Sequence, residues 1–586
     1  MCGIAGLMTA GGAPSERAVE AMGEALAHRG PDGRGTHCSH NVAMVHTRLA
    51  IIDLVTGDQP LREPGGAALV ANGEIYNYVE LREALAGEAF ATASDCEPPL
   101  HLYRRYGLDF ADRLRGMYAI AIHDPGERRL VLARDPFGIK PLYYAETEAG
   151  FAFASEPQAL IAAGLVAPRI CSERRAELLQ LQFTTGPETA FQGIRRVLPG
   201  ETLVVADGRI IERRRRDALP AGEVRDEDEA AALRRLDEAL EDSVRVHQRS
   251  DVPYGMFLSG GIDSSALLAI MARLDDRPVR AFTIGFSGTE VPDERAHARE
   301  LAREVGAEHV EVEFGEEDFW GLLPEIAAAM DDPAADYAIL PTYKLGREAG
   351  RDLKVILCGE GGDELFAGYG RYRSFMRPLW MGGRTLRPRG ILDRLGVLRD
   401  EARAWRDGIH AAEVNAEKPG RTRLQVAQAT DCADWLPHDL LIKLDRCLMA
   451  HGVEGRTPFL DPVVADAAYR LPDDLKVRRR VGKWLLRRWL ADHLPEAKPF
   501  ARKRGFTVPV GTWIAGRGAE LGPLVAAEPG VAEVCRPGSV ERLFASQGKR
   551  QGLAAWVLLF YALWHRRHIL GLRPEGDVFE TLAGKG

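Results

Sequence analysis

The sequence predicts an α/β chain of two domains, the first rich in antiparallel β-structure and the second built on a doubly wound parallel sheet. Three observations point there. Hairpin signals recur in the first two hundred residues, as where Gly116–Ile122 and Arg129–Arg134 flank the turn Asp124-Pro125-Gly126-Glu127. From Val252 onward, short apolar runs alternate with helical stretches. Between the two halves the composition shifts: a basic run gives way to Pro220-Ala221-Gly222-Glu223 and then to a charged helix over Glu227–Val246. The expected limits are 1–210 for the first domain, 211–230 for a linker and 231–586 for the second domain. A chain of 586 residues is longer than one hydrophobic core usually organises.

Composition narrows the class of function. A net charge of −9 argues against nucleic acid or an anionic membrane as partner. The runs Arg213–Arg216 and Arg478–Arg480 are short and have acids nearby, so they read as solvated faces. Eight cysteines without a Cys-x-x-Cys pair suit a reducing compartment and give neither a zinc site nor a disulfide framework. The opening Met1-Cys2-Gly3-Ile4-Ala5 lacks a basic segment followed by an apolar one, and no run of about 18 apolar residues occurs. The expectation is a cytoplasmic enzyme acting on small molecules.

In the first domain, Cys2 follows the initiator methionine. Removal of that methionine, expected before a small residue, leaves a thiol and an α-amine on one residue, and an amine of pKa about 7.7–8.0 can activate its own thiol. Val42–Asp53 reads as a strand carrying Arg48. Leu69–Asn77 reads as a strand with an Asn72-Gly73 turn, and Ser94-Asp95 precedes a helix with Pro98 and Pro99 in its first turn. An amide substrate bearing an α-carboxylate and an α-ammonium needs a cation, a carboxylate and neutral donors for its oxyanion. Arg48, then Glu74 and Asp95, then the Asn72 side chain and the Gly73 N–H supply those three kinds of group.

In the second domain, Met256–Ser265 runs from a short apolar strand through Ser259-Gly260-Gly261-Ile262-Asp263-Ser264 into a helix. Two glycines, a cluster of hydroxyls and a helix N-terminus make a phosphate cradle, though no Walker A sequence is present. Strands expected at Gly255–Leu258, Val279–Phe286, His309–Phe314 and Leu353–Cys358 alternate with helices at Ser264–Leu274, Asp293–Val305, Phe319–Met330 and Pro341–Arg351. Ser259, Ile284 and Cys358 then converge at the carboxyl ends of the strands, where such sheets hold ligands. Past the fourth strand, Cys358–Tyr369 places Glu360, Asp363 and Glu364 among glycines, a pattern suited to binding Mg²⁺ and positioning an acyl-adenylate. Asp431–Met449 and Leu553–His568 read as amphipathic covering helices, and Lys140 reads as a surface lysine.

These motifs carry a resemblance. Ser259–Ser264 is similar to the pyrophosphate loop of ATP pyrophosphatases. Cys2-Gly3-Ile4, His28–Asp32, Arg48–Ile51, Asn72–Asn77 and Ser94-Asp95 resemble the class II glutamine amidotransferase domain. With His451–Asp461, Gly482-Lys483-Trp484 and Arg502–Phe506, the chain resembles the glutamine-hydrolysing asparagine synthetase family over nearly its full length.

The resemblance implies an N-terminal-nucleophile αββα sandwich followed by an ATP-pyrophosphatase domain with C-terminal helices. It implies Cys2 as nucleophile, Asn72 and Gly73 as oxyanion hole, and Arg48, Leu49, Ala50, Ile51, Ile52, Glu74 and Asp95 as the glutamine site. It implies ATP at Leu258, Ser259, Gly260, Gly261, Asp263, Ser264, Ile284, Cys358 and Gly359, and magnesium at Asp263 and Asp363. Glu360 would hold or activate a β-aspartyl-adenylate, Lys503 would stabilise the leaving phosphates, and a homodimer is an expectation. His28–Gly33 is expected to be a structural turn. Many relatives have Ser where this chain has Cys358, a position expected to contribute its backbone. Three other readings stay open: the same machinery amidating a peptide, sugar acid or envelope precursor; a β-lactam-type or peptide-cyclising synthetase; and a non-catalytic ATP-sensing scaffold. An intact Cys2, Arg48, Asn72 and Asp95 count against the second.

Overall fold

A computed structural model describes residues 2–221, 223–286, 293–381, 383, 385–400, 403–501 and 508–584. Twelve strands build the first domain: β1 Gly3–Met8, β2 Gly33–Ser39, β3 Val42–Arg48, β4 Leu61–Arg62, β5 Ala68–Ile75, β6 Gly116–Asp124, β7 Arg129–Arg134, β8 Tyr143–Thr147, β9 Gly150–Ala154, β10 Arg195–Arg196, β11 Glu201–Ala206 and β12 Arg209–Arg215. They form two six-stranded sheets, ordered β10-β8-β9-β1-β3-β2 and β12-β11-β7-β6-β5-β4. The period of two along each strand sends alternate residues to opposite faces. Ile4, Met8, Met44, Val70, Ala119, Leu132, Phe153 and Leu203 meet between the sheets. The other faces carry helices: Val19, Met22 and Leu160 cover the first sheet, and Leu81, Leu100 and Tyr103 cover the second. The layers are therefore helix, sheet, sheet, helix, as the resemblance implied.

Strand β12 runs five residues beyond the expected start of the linker, because Arg213–Arg215 pair with Glu201–Leu203 of β11. The helix that opens the second domain spans Glu229–His247.

The second domain holds a five-stranded parallel sheet: β13 Tyr254–Phe257, β14 Arg280–Phe286, β15 Glu308–Phe314, β16 Val355–Leu357 and β17 Glu454–Arg456. Its order is β15-β14-β13-β16-β17. The four expected strands and the helices between them are present within two or three residues. The fifth strand, β17, lies inside the motif His451–Asp461 and carries too few residues to show a period. The strand order reverses between β13 and β16, so the crevice of a doubly wound sheet falls between the loops that follow those two strands. Both chemistry-bearing loops of the second domain flank that point.

Two helical expectations change. Asp431–Met449 divides into a π-helix, Asp431–Leu440, and an α-helix, Leu441–Met449. The long helix Lys549–His568 is buried on nearly every side, with Trp556, Tyr561 and Trp564 all enclosed, so it is a core helix and not a cover. Among the described residues, no helix is long and apolar enough to cross a membrane.

Candidate active sites

The first site lies where the two sheets of the first domain meet. Cys2 enters β1 from its end and is buried, and its backbone N–H donates to Asn72 Oδ1 at 3.1 Å. Asn72 is fully enclosed in β5, and its Nδ2 has no partner among the described residues, leaving two donor hydrogens available beside the cysteine. Gly73 follows, and a Cβ there would collide with the Met117 carbonyl oxygen of the paired strand β6. Burial pushes the Cys2 thiol up. The positive amino terminus, the Leu49 backbone N–H and Arg48 pull it down, and Glu454 pushes it up again. The thiol is therefore protonated at rest and needs a base when it reacts.

Glu74 and Asp95 are both buried beside it. Asp95 Oδ2 accepts the Ile75 N–H at 2.8 Å, and Glu74 pairs with Arg456 at 3.0 Å. Burial holds Glu74 well above the usual carboxylate range, and Asp95 raises it further while Arg456 opposes the rise. Burial also raises Asp95. Two crowded carboxylates of this kind favour a cationic ligand, as an α-ammonium would be.

Arg48 is turned elsewhere. Its Nη1 pairs with Asp58 at 2.7 Å and its Nη2 donates to the Asp53 carbonyl. The segment Leu49–Ile52 lies against the second domain: Asp251 N–H donates to the Ile51 carbonyl at 3.1 Å, and Asp53 N–H donates to Asp251 Oδ2 at 2.8 Å. Ala50 N–H donates to Asp32 Oδ2, an oxygen that also receives Lys354 Nζ from the second domain.

The structure adds residues that sequence reasoning set aside. Arg29, in the turn expected to be structural, is fully buried and donates through Nε to the Cys2 carbonyl at 3.1 Å. Its guanidinium also grips Glu156 and, from the second domain, both oxygens of Asp445. Lys140 is not on the surface: it is 1% exposed and its Nζ faces the Gly455 carbonyl at 3.4 Å.

The second site is the crevice after β13 and β16. Ser264 Oγ lies 2.9 Å from Ser259 Oγ and donates to the Ser259 carbonyl, while Ser265 Oγ donates to the Gly261 carbonyl at 2.8 Å. These bonds close the loop into a nest at the start of the helix Ile262–Leu274. Leu258 is buried, its carbonyl accepting Thr283 Oγ1 at 2.7 Å, and Ile284 is buried on the neighbouring strand. Gly359 and Gly362 bring the acidic loop against this nest: a Cβ on Gly362 would collide with the Asp263 carboxylate, and one on Gly359 would crowd the Asp263 side chain. Asp263 and Asp363 thus come from different loops to one place, where Lys483 pairs with both, at 2.5 and 2.6 Å. Burial raises Glu360 above the usual carboxylate range against the pull of Lys443, and Asp263 raises it further. Cys358 is enclosed, its thiol pushed well up by burial, and its N–H donates to the Arg456 carbonyl at 2.8 Å. Lys503 lies outside the described residues.

Strand β17 touches both sites. Its backbone pairs with β16 beside Cys358, while the Arg456 guanidinium reaches Glu74 and also holds Glu454 at 2.6 Å and the His247 and Arg249 carbonyls. Arg456→Met should therefore leave Glu74 without its buried cation, a change of a kind that costs about 3–5 kcal/mol. The expected result is a clear fall in melting temperature together with a raised KM for the first-site substrate. An unchanged melting temperature would show that this pair does not hold the interface.

A model of the glutamine amidotransferase domain matches residues 1–215, and the asparagine synthase model matches residues 235–566. The chain is similar to glutamine-hydrolyzing asparagine synthetase 1 of Bacillus subtilis (strain 168), with 32% identity over 97% of each chain. It is similar to glutamine-hydrolyzing asparagine synthetase B of Escherichia coli (strain K12), with 30% identity over 85% of this chain and 80% of that one. It is also similar to Amidase chry2 of Gibberella zeae, with 30% identity over 85% of this chain and 87% of that one.

Proposed function

The chain belongs to the glutamine-hydrolysing asparagine synthetase family, and from that premise we propose how its two sites share one ATP-dependent reaction. At the first site the Cys2 α-amine takes the thiol proton as Cys2 Sγ attacks the carboxamide carbon of glutamine, the Asn72 amide and the Gly73 N–H receive the oxyanion, and the amine hands that proton to the departing nitrogen. The carbon–nitrogen bond breaks, ammonia leaves, and water hydrolyses the γ-glutamyl thioester to glutamate. Glu74 and Asp95 take the substrate ammonium, and Arg48, released from Asp58, takes its carboxylate.

At the second site a β-carboxylate oxygen of aspartate attacks the α-phosphorus of ATP and pyrophosphate departs. Ammonia then attacks the acyl carbon of β-aspartyl-AMP, AMP leaves, and asparagine forms. Glu360 would take the proton that the attacking ammonia must lose, a role supported by the basicity that burial gives it. The nest Ser259–Ser265 receives the phosphates. Asp263 and Asp363, two carboxylates brought together from facing loops, would hold a Mg²⁺, and such an ion would supply charge neutralisation to the phosphates. Ammonia has to reach the second site shielded from water, because free ammonia is mostly protonated in solution and an acyl-adenylate is lost to hydrolysis.

The observation that carries this reading is strand β17, which joins the Glu74 carboxylate of one site to the Cys358–Asp363 loop of the other. Its test is to identify the products from glutamine, ATP, Mg²⁺ and aspartate by mass spectrometry. Glutamate, AMP, pyrophosphate and asparagine in equal amounts are expected. Glutamate without AMP or asparagine would move the reaction to another carboxylate, a reading the likeness to Amidase chry2 keeps in view.

A further inference from the structure

Lys483 is the group in the second site that the reaction described above leaves without a task. It lies at the start of the helix Trp484–His493 in a left-handed conformation with φ +56°, where a non-glycine residue carries strain on the order of 1 kcal/mol. That backbone is held in place: its N–H donates to the Phe366 carbonyl at 3.0 Å, and a Cβ on Gly482 would collide with the Ala367 carbonyl. The side chain is buried, and its ammonium bridges Asp263 and Asp363. The surroundings are shaped to this cluster, since a Cβ on Gly368 would collide with both the Asp363 carboxylate and Lys483 Cε.

A second contact repeats the pattern with the sign reversed. In the phosphate nest the Gly260 N–H donates to Glu294 Oε2 at 3.1 Å, so a carboxylate engages a donor that the nest offers to phosphate. The protein's own residues thus place a cation against the Asp263 and Asp363 carboxylates and an anion against the glycine loop.

We propose that Lys483 is the resident counterion of this site: it holds Asp263 and Asp363 together before nucleotide binds, then passes to the pyrophosphate as the metal–nucleotide complex enters. The proposal rests on the reading of this crevice as the ATP site. Two carboxylates from separate loops repel one another, and the lysine removes that repulsion while the site is at rest. It also competes with any bare divalent cation. Metal therefore binds with nucleotide, whose phosphates give the ammonium a new anionic partner as the carboxylates turn to the metal.

The test is Mn²⁺ binding to the full chain by electron paramagnetic resonance, with and without α,β-methylene-ATP. Lys483→Met should bind Mn²⁺ without nucleotide about tenfold or more tighter than the wild type, because the ammonium that competes with the metal for the two carboxylates is gone. Lys483→Arg, which keeps the charge, should behave as the wild type. The wild type should bind Mn²⁺ tightly only when the analogue is present. Equal or weaker nucleotide-free binding by Lys483→Met overturns the proposal. A wild type that binds no Mn²⁺ even with the analogue overturns the metal assignment itself, and the counterion role falls with it. Should Lys483→Met melt too readily to titrate, saturating Mn²⁺ should raise its melting temperature more than the wild type's; an equal rise is contrary to the proposal.

Discussion

Cys2→Ala should abolish glutamine-dependent product formation, by at least about 1,000-fold, while ammonium ion still supports synthesis. The physical ground is that the two sites are separate constellations. Cys2 meets Asn72 in the first domain, whereas Ser259–Ser265 and Gly359–Asp363 meet in the second. Methyl replaces thiol in a buried position without moving the backbone N–H that bonds Asn72. The nucleophile is lost and the scaffold is kept. Glutamate release measured with glutamine alone checks the first half of the claim, and AMP release with ammonium chloride checks the second. Continued glutamate release by the variant would mean that another group attacks the amide.

Glu360→Gln should lower adenylate-dependent product formation by about 100-fold or more while glutamate release persists. The isosteric amide keeps the size and hydrogen bonding of the side chain, so a loss of rate reports the carboxylate itself. Burial raises Glu360, and Lys443 and Asp263 act on it in opposite directions, which places its charge under local control. Because its pKa lies above that of a free carboxyl, synthesis in the wild type should fall on the acid side as Glu360 is protonated and loses its capacity to take a proton. The glutamine variant should lose that acid limb. Synthesis at the wild-type rate in Glu360→Gln would remove the residue from the chemistry.

Much of this architecture was legible because it is written locally. A strand, a glycine pair, hydroxyls and a helix start within ten residues mark the phosphate nest, and the alternation after Val252 marks a parallel sheet. Cys2 and Asp95 were legible as chemistry because one precedes a strand and the other a helix, whereas the turn expected at Asn72-Gly73 is absent: β5 runs unbroken from Ala68 to Ile75, with both residues paired to β6. What the sequence concealed is contact at long range. The Arg29–Asp445 pair spans 416 residues, and Arg456 reaches Glu74 across the two domains. No local period encodes such a pairing. Strand β17 has three residues, too few to alternate, and its existence depends on the partner β16. Lys140 looked like a surface residue because burial of a lysine depends on the domain packed over it, here through Gly455. The π-helix Asp431–Leu440 escaped because its extra residue per turn follows from packing, with Asp431 drawn to Arg371 and Asp434 to His438. Lys483 was visible as part of a motif, yet its place between two carboxylates follows from the closure of two loops at the sheet's switch point.

The most direct test of a coupled two-site enzyme follows the nitrogen. Purified full-length protein is given glutamine labelled with ¹⁵N in its side-chain amide, with unlabelled aspartate, ATP and Mg²⁺. Asparagine carrying ¹⁵N in its side-chain amide, formed in step with AMP and glutamate, is the result expected here. ¹⁵N released as free ammonium while asparagine stays unlabelled or absent would contradict a chain in which one site supplies the other.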